Sequence, residues 1–246
     1  MKPQIVQLFS QNLNLKLTTS FFLCLYLVFT PATIASFAPT NRKPASDHSR
    51  TGGTRGCEVD KIPLTLLAPK TYIGTTASLR PTFVGFVSTS KQIRFKIFEF
   101  NSKNQPQQLG DTVEKNVSPG VFQLSLTENQ PELIVGRKYL WMVALDCPNS
   151  SKTKLVEKAE FIVVEMPSTL KTQLSTAVNS LQKANIYAKA DLWYEALAEA
   201  LKSTTIGKLG QVGLSLVQDL AKSELATTNS EKNRVQNLEK IVIQEK

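Results

Sequence analysis

The stretch Leu133-Ile134-Val135-Gly136-Arg137-Lys138-Tyr139-Leu140-Trp141-Met142-Val143-Ala144-Leu145-Asp146-Cys147 decides the fold. Gly136 punctuates it, and the aromatic and β-branched run that follows is too apolar on both faces for a sheet edge. Tyr139, Trp141, Val143 and Leu145 share one face at period two, while Leu140, Met142 and Ala144 share the other. Such a run belongs in the middle of a sheet, and the remaining strands are expected to pair and pack around it.

Working outward, short strand candidates alternate with turn chemistry. Residues 64–68 form the first and are closed by Pro69; residues 74–79 lead into 81–87, where Pro81 suits a strand start because its missing N–H costs no ladder bond. Residues 93–100 alternate Ile93, Phe95 and Ile97 against Arg94 and Lys96, the pattern of a half-exposed antiparallel strand. Residues 109–115 read as a weak edge strand, 121–126 as a strand behind Pro119-Gly120, 148–154 as a polar loop and 161–165 as the closing strand. About seven short strands at roughly ten-residue spacing, with no helix between them, predict an antiparallel β-sandwich over residues 57–166. Gly136-x-x-Tyr139-x-Trp141 resembles the entry to the penultimate strand of immunoglobulin and fibronectin type III modules, where a tyrosine hydroxyl bonds back to the backbone.

After Pro167 the period becomes helical. Leu170, Leu174, Ala177, Val178, Leu181, Ala184 and Ala188 fall on one face, with Ser168 as N-cap. A turn at Lys189-Ala190-Asp191 is expected, with Asp191 capping a second helix over residues 192–202. The order Ala184, Tyr187, Trp193, Ala196, Leu197 resembles the middle of a tetratricopeptide hairpin, although only one such unit is present. Tyr187, Trp193 and Tyr194 are the candidate interaction surface of this helical region, residues 167–226. Residues 206–225 give a third helix, in which Gly207, Gly210 and Gly213 either admit a close helix contact or delay the start. Residues 227–246 are charge-mixed and read as a loose tail with a short helix at 235–243. The overall class is therefore α+β, a sandwich followed by a helical hairpin.

The N-terminus carries Lys2 and Lys16 before an apolar run over residues 17–29, then Pro31 and small residues. This is the pattern of a cleaved signal peptide, residues 1–38, with Thr33-Ile34-Ala35 or Ser36-Phe37-Ala38 as the exit; the run is short for a membrane span. The protein is expected in the periplasm or outside the cell, touching the membrane only through that segment. Removing it takes away two lysines and no acid, so the formal charge of +9 becomes +7. The lysines are scattered; acidic polysaccharide is a conceivable partner, and nucleic acid is not expected of an exported protein. Residues 39–56, rich in Pro, Gly and Ser, read as a flexible polar leader containing the single histidine, His48.

Beyond the signal segment only Cys57 and Cys147 remain, most simply a disulfide in an oxidising compartment. The enclosed loop of about 90 residues corresponds to roughly 4 kcal/mol in the chain-entropy model. No Cys-x-x-Cys spacing occurs and His48 lies in the leader, so no metal site, cofactor or His-based nucleophile is expected. Asp111 with Glu114, or Asp146 alone, are the only carboxylates worth inspecting for glycoside chemistry. No catalytic residue is assigned.

Gly52-Gly53-Thr54-Arg55-Gly56-Cys57, Leu64-Thr65-Leu66-Leu67-Ala68-Pro69, Pro81-Thr82-Phe83, Tyr139-x-Trp141, Cys147-Pro148, Tyr187-Ala188 and Leu192-Trp193-Tyr194-Glu195-Ala196-Leu197 occur in this order. Together they resemble the secreted cyanobacterial family catalogued as domain of unknown function 928. Two departures are visible: Val84-Gly85 stand where that family favours aromatics, and Val164-Glu165 where it favours a basic residue. The resemblance implies cyanobacterial origin and export, and no activity. The expected function is a non-catalytic envelope module, with the sandwich as scaffold and the helices docking a protein partner. A polysaccharide-binding or polysaccharide-modifying protein and a membrane-tethered sensor with an uncleaved N-terminal segment are the alternatives.

Overall fold

Period-two burial and turn residues divide the chain into α1 (Asp47–Arg50), β1 (Thr65–Leu66), β2 (Gly74–Thr76), β3 (Thr82–Val87), β4 (Lys91–Phe100), β5 (Pro106–Val117), β6 (Gly120–Ser125), β7 (Lys138–Cys147) and β8 (Ser150–Val163). The helices α2 (Ser168–Thr176), α3 (Ser180–Lys189), α4 (Trp193–Leu201), α5 (Gly210–Ser223) and α6 (Asn229–Glu245) follow. This computed structural model describes residues 36–40, 42–50, 61–147 and 150–245, without the side chains of Arg50 and 147–154. All of them belong to one unit, Ile34–Lys246. The fold is mixed α+β, with two sheets and six helices among the described residues.

One sheet has the order β1-β3-β6 and the other β2-β8-β7-β4-β5. The stretch quoted at the outset supplies β7, the middle strand of the larger sheet, as its two apolar faces require. Registers such as Ile93↔Leu145, Phe95↔Val143 and Ile97↔Trp141 bring the buried residues of β4 and β7 to one face; a one-residue slip would turn them all outward. Phe83 of β3 joins the layers. Its ring centroid lies 4.9 Å from Trp141, 5.3 Å from Phe95 and Phe161, and 5.5 Å from Tyr194 of α4. Aromatic pairs of this kind each add about 0.5–1.5 kcal/mol beyond the area they bury. The Tyr139 hydroxyl accepts a 2.9 Å bond from the Ile134 amide, the return to backbone expected of that residue.

Several expectations are corrected. The larger sheet is not purely antiparallel: β2 runs parallel to β8, because these first and last strands of the sheet are linked through the whole body instead of a hairpin. The closing strand is 14 residues long and absorbs the expected loop from residue 150 onward; β7 extends far enough to pair with nearly all of it. The helix expected from Ser168 onward is broken. Ala177 is extended and Asn179 caps α3 through a side chain that accepts from the Gln182 amide, which leaves Val178 exposed. Asp191 caps nothing; at φ 60° it forms the turn, and its carboxylate accepts from Thr40.

The tail and the leader also differ from expectation. Residues 229–245 form one helix with Leu238, Ile241 and Val242 buried. Of the expected flexible leader, residues 42–50 are docked. The Ile73 amide donates to the Lys43 carbonyl, the Ala45 amide to the Thr71 carbonyl, and Ser46 donates through amide and hydroxyl to the buried Glu160 carboxylate. A polar segment without hydrophobic period holds its place here through these backbone and carboxylate bonds, which composition does not reveal.

Candidate functional site

A cleft lies between α6 and the segment leading into β1. It is a space of about 370 Å³ walled by Lys61, residues 63–65, Lys70, Thr71 and Glu157 on one side and α6 on the other.

α6 begins with a capping box, Thr228-x-x-Glu231. The Glu231 amide donates to Thr228 Oγ1 at 3.2 Å, and Glu231 Oε2 accepts from the Thr228 amide and from the Thr227 amide and hydroxyl, each at 2.9 Å. Burial alone would push this carboxyl up; the bonds from Thr228 and Thr227 outweigh it and hold the group at about 2, so it stays ionised. Steps of three and four residues then put Ser230, Asn233, Asn237 and Lys240 on the cleft side, and turn Leu238, Ile241 and Val242 into the core.

Between those two stripes sits Arg234, and it is buried. Its Nη2 donates to the Leu66 and Ala68 carbonyls, and its Nε to Glu224 Oε1 at 3.3 Å. Glu224 in turn accepts from the Lys70 and Thr71 amides, both at 2.9 Å. The two side chains clamp the β1–β2 loop to the α5–α6 connection and so fix both walls of the cleft. Lys70 Nζ donates to Glu157 Oε2 at 2.6 Å across its floor.

The charges are unequal. Lys61, Lys70, Arg234 and Lys240 line the cleft against Glu157 and Glu231. Both carboxylates are occupied, Glu157 by Lys70 and Glu231 by the helix cap, whereas Lys61 and Lys240 have no acidic partner among the described residues. With Asn233, Gln236 and Asn237 offering amide donors and acceptors, the arrangement suits an anionic ligand bearing hydroxyl groups.

Residues 50–227 match the family described as Domain of Unknown Function (DUF928). The chain belongs to this family. A comparison with curated proteins finds no match. In this DUF928 chain the matched region supplies the β1, loop and β8 walls of the cleft, while α6 with Lys240 lies beyond it.

The residues singled out from the sequence do not gather at this cleft. Trp193 and Tyr194 are 1% and 2% exposed, so the expected docking surface is corrected: both are core residues. Trp193 Nε1 donates to the Leu67 carbonyl at 2.9 Å and Trp141 Nε1 to the Tyr194 hydroxyl at 3.2 Å, tying α4 to both sheets. Tyr187 is half-buried against the same cluster. Their neighbour Glu195 is a staple: its Oε1 accepts from Thr76 Oγ1 and from the Ala77 and Ser78 amides at 2.7–2.8 Å. Burial pushes its carboxyl up against those bonds. The inspected carboxylates do not line the cleft either. Asp146 is held by Arg94 through two bonds of 2.9 and 2.6 Å, and Asp111 and Glu114 stand exposed on β5. Cys57 and the Cys147 side chain lie outside the described residues. Among the described residues no group of three or more His, Cys, Asp or Glu side chains is placed to hold a metal ion, and no helix is long and apolar enough to cross a membrane.

Sequence reasoning missed the cleft. The Thr228-x-x-Glu231 box is a sequence signal for the start of α6, whereas nothing in the sequence marks Arg234 as buried.

Proposed function

We propose that this DUF928 protein is an exported, non-catalytic binding module of the cell envelope and that it recognises acidic polysaccharide in the cleft between β1 and α6. The observation that carries this is the charge balance of the cleft, where both carboxylates are occupied and Lys61 and Lys240 are left facing solvent. The amide stripe on α6 supports hydroxyl recognition, and the formal charge of +7 left once the signal segment with Lys2 and Lys16 is removed favours anionic ligands in general. The reading as an immunoglobulin- or fibronectin-like sandwich rests on the partition β1-β3-β6 against β2-β8-β7-β4-β5, antiparallel except for β2, and on the Tyr139 bond to the Ile134 amide. The reading of α3 and α4 as one tetratricopeptide-like hairpin rests on the buried alanines 184, 188, 196 and 200 between them. A protein partner docked on the aromatic residues of that hairpin is disfavoured, because two of the three are in the core.

The test is a calorimetric titration with oligogalacturonate at low and high salt, with a neutral glucan oligomer as control. Binding that weakens with salt and falls about tenfold, or about 1.4 kcal/mol, in a Lys61→Glu/Lys240→Glu variant is expected. No binding, or equal binding of the neutral oligomer, refutes the proposal.

A further inference from the structure

Phe37 lies inside the stretch read as the end of the signal segment, yet it is a core residue. It is 4% exposed, its ring stands edge-on to Trp193 at 4.8 Å, and its amide donates to Asp219 Oδ2 at 3.0 Å. The chain stays docked from there. Thr40 donates to Asp191 through amide and hydroxyl, Arg42 Nη1 reaches the Ser223 carbonyl at 2.8 Å, and Pro44 bridges to Tyr72 beside β2.

The two small-residue exits now differ. A cut after Ala38 discards Phe37 and leaves Trp193 beside an empty slot. It also requires hydrolysis of the Ala38–Pro39 bond, whose nitrogen carries no hydrogen and whose preceding residue is conformationally restricted. A cut after Ala35 meets neither obstacle and keeps every anchor from Phe37 onward.

We infer that the signal segment is removed at the Ala35–Ser36 bond and that Ser36 is the first residue of the exported protein, with Phe37 part of its fold. The step is a hydrolysis by a membrane signal peptidase of the exporting cell. Water adds across the amide, the C–N bond breaks, Ala35 departs with the new carboxylate, and Ser36 retains the nitrogen as an ammonium. Ser36, where the new ammonium arises, lines a cavity of about 260 Å³ together with Asp219, Arg42 and Lys222.

This inference rests on the export reading, and one experiment separates them: the full chain is expressed in an exporting Gram-negative host and the product is sequenced from its N-terminus. A soluble envelope product beginning Ser36-Phe37-Ala38-Pro39 is expected. A product beginning at Pro39 or later overturns the inference and leaves export intact. A product retaining Met1 overturns both. In parallel, Phe37→Ala is expected to be cut at the same bond and to melt at least about 5 °C lower, the shift appropriate to a lost core phenyl ring in a domain of this size. An unchanged melting temperature contradicts the place given to Phe37.

Discussion

Replacing Glu224 with alanine removes more than one carboxylate. Its side chain is 1% exposed and that of Arg234 is 8% exposed, so water cannot readily replace either partner. The substitution leaves the Lys70 and Thr71 amides without acceptors and the Arg234 guanidinium without its counter-charge. Stripping a buried ion of its partner costs about 3–5 kcal/mol, and each orphaned buried amide about 1–3 kcal/mol. These losses overlap, since Arg234 keeps two carbonyl acceptors and the loop can relax; a net cost of about 4–6 kcal/mol is expected. Measured against a total stability of about 5–15 kcal/mol, that is a large share. Urea unfolding followed by tryptophan fluorescence reads it directly, because Trp141 and Trp193 are both buried. Arg234→Ala is expected to cost about 3–4 kcal/mol, and the double variant to fall short of the sum by about 1–3 kcal/mol, because it no longer strands a charge. A Glu224→Ala cost below about 1 kcal/mol, or strict additivity, refutes the clamp.

Other consequences follow from single side chains. Phe83→Ala empties the contact between both sheets and α4 and is expected to cost about 3–5 kcal/mol by thermal or urea unfolding. Tyr139→Phe removes only the acceptor of the Ile134 amide and is expected to cost about 0.5–1.5 kcal/mol, measured the same way. The Glu231 carboxyl is held at about 2, below its ordinary 4.5, so its contribution is complete above pH 4.5 and is lost as pH falls toward 2. Glu231→Gln is therefore expected to lower stability at neutral pH and to flatten that acid limb in melting curves. Glu195 has the opposite sign: with its carboxyl pushed up, folding is disfavoured as pH climbs above about 4.5, and Glu195→Gln is expected to remove that decline.

The sheets were legible in the sequence where apolar alternation is strong. Tyr139, Trp141 and Val143 marked the central strand, and Phe83 and Phe95 marked strands that pack on it, because period-two burial leaves a direct trace. The parallel pairing of β2 with β8 left none, since a three-residue strand carries no directional signal. Trp193 and Tyr194 looked like surface aromatics on a helix; their polar atoms find Leu67 and Trp141 only once the sheets are assembled. The cleft was illegible for a related reason. Arg234 and Glu224 read as ordinary charged residues until tertiary structure supplies the carbonyls and amides that allow them to be buried.

The most direct measurement is a titration of isotopically labelled, folded protein with oligogalacturonate, following backbone amide resonances. Shifts confined to Lys61, Asn233, Asn237, Lys240 and their neighbours are the expected result. Shifts centred elsewhere, such as on the exposed face of β5 or along α2, would contradict the assignment of the cleft as the binding site.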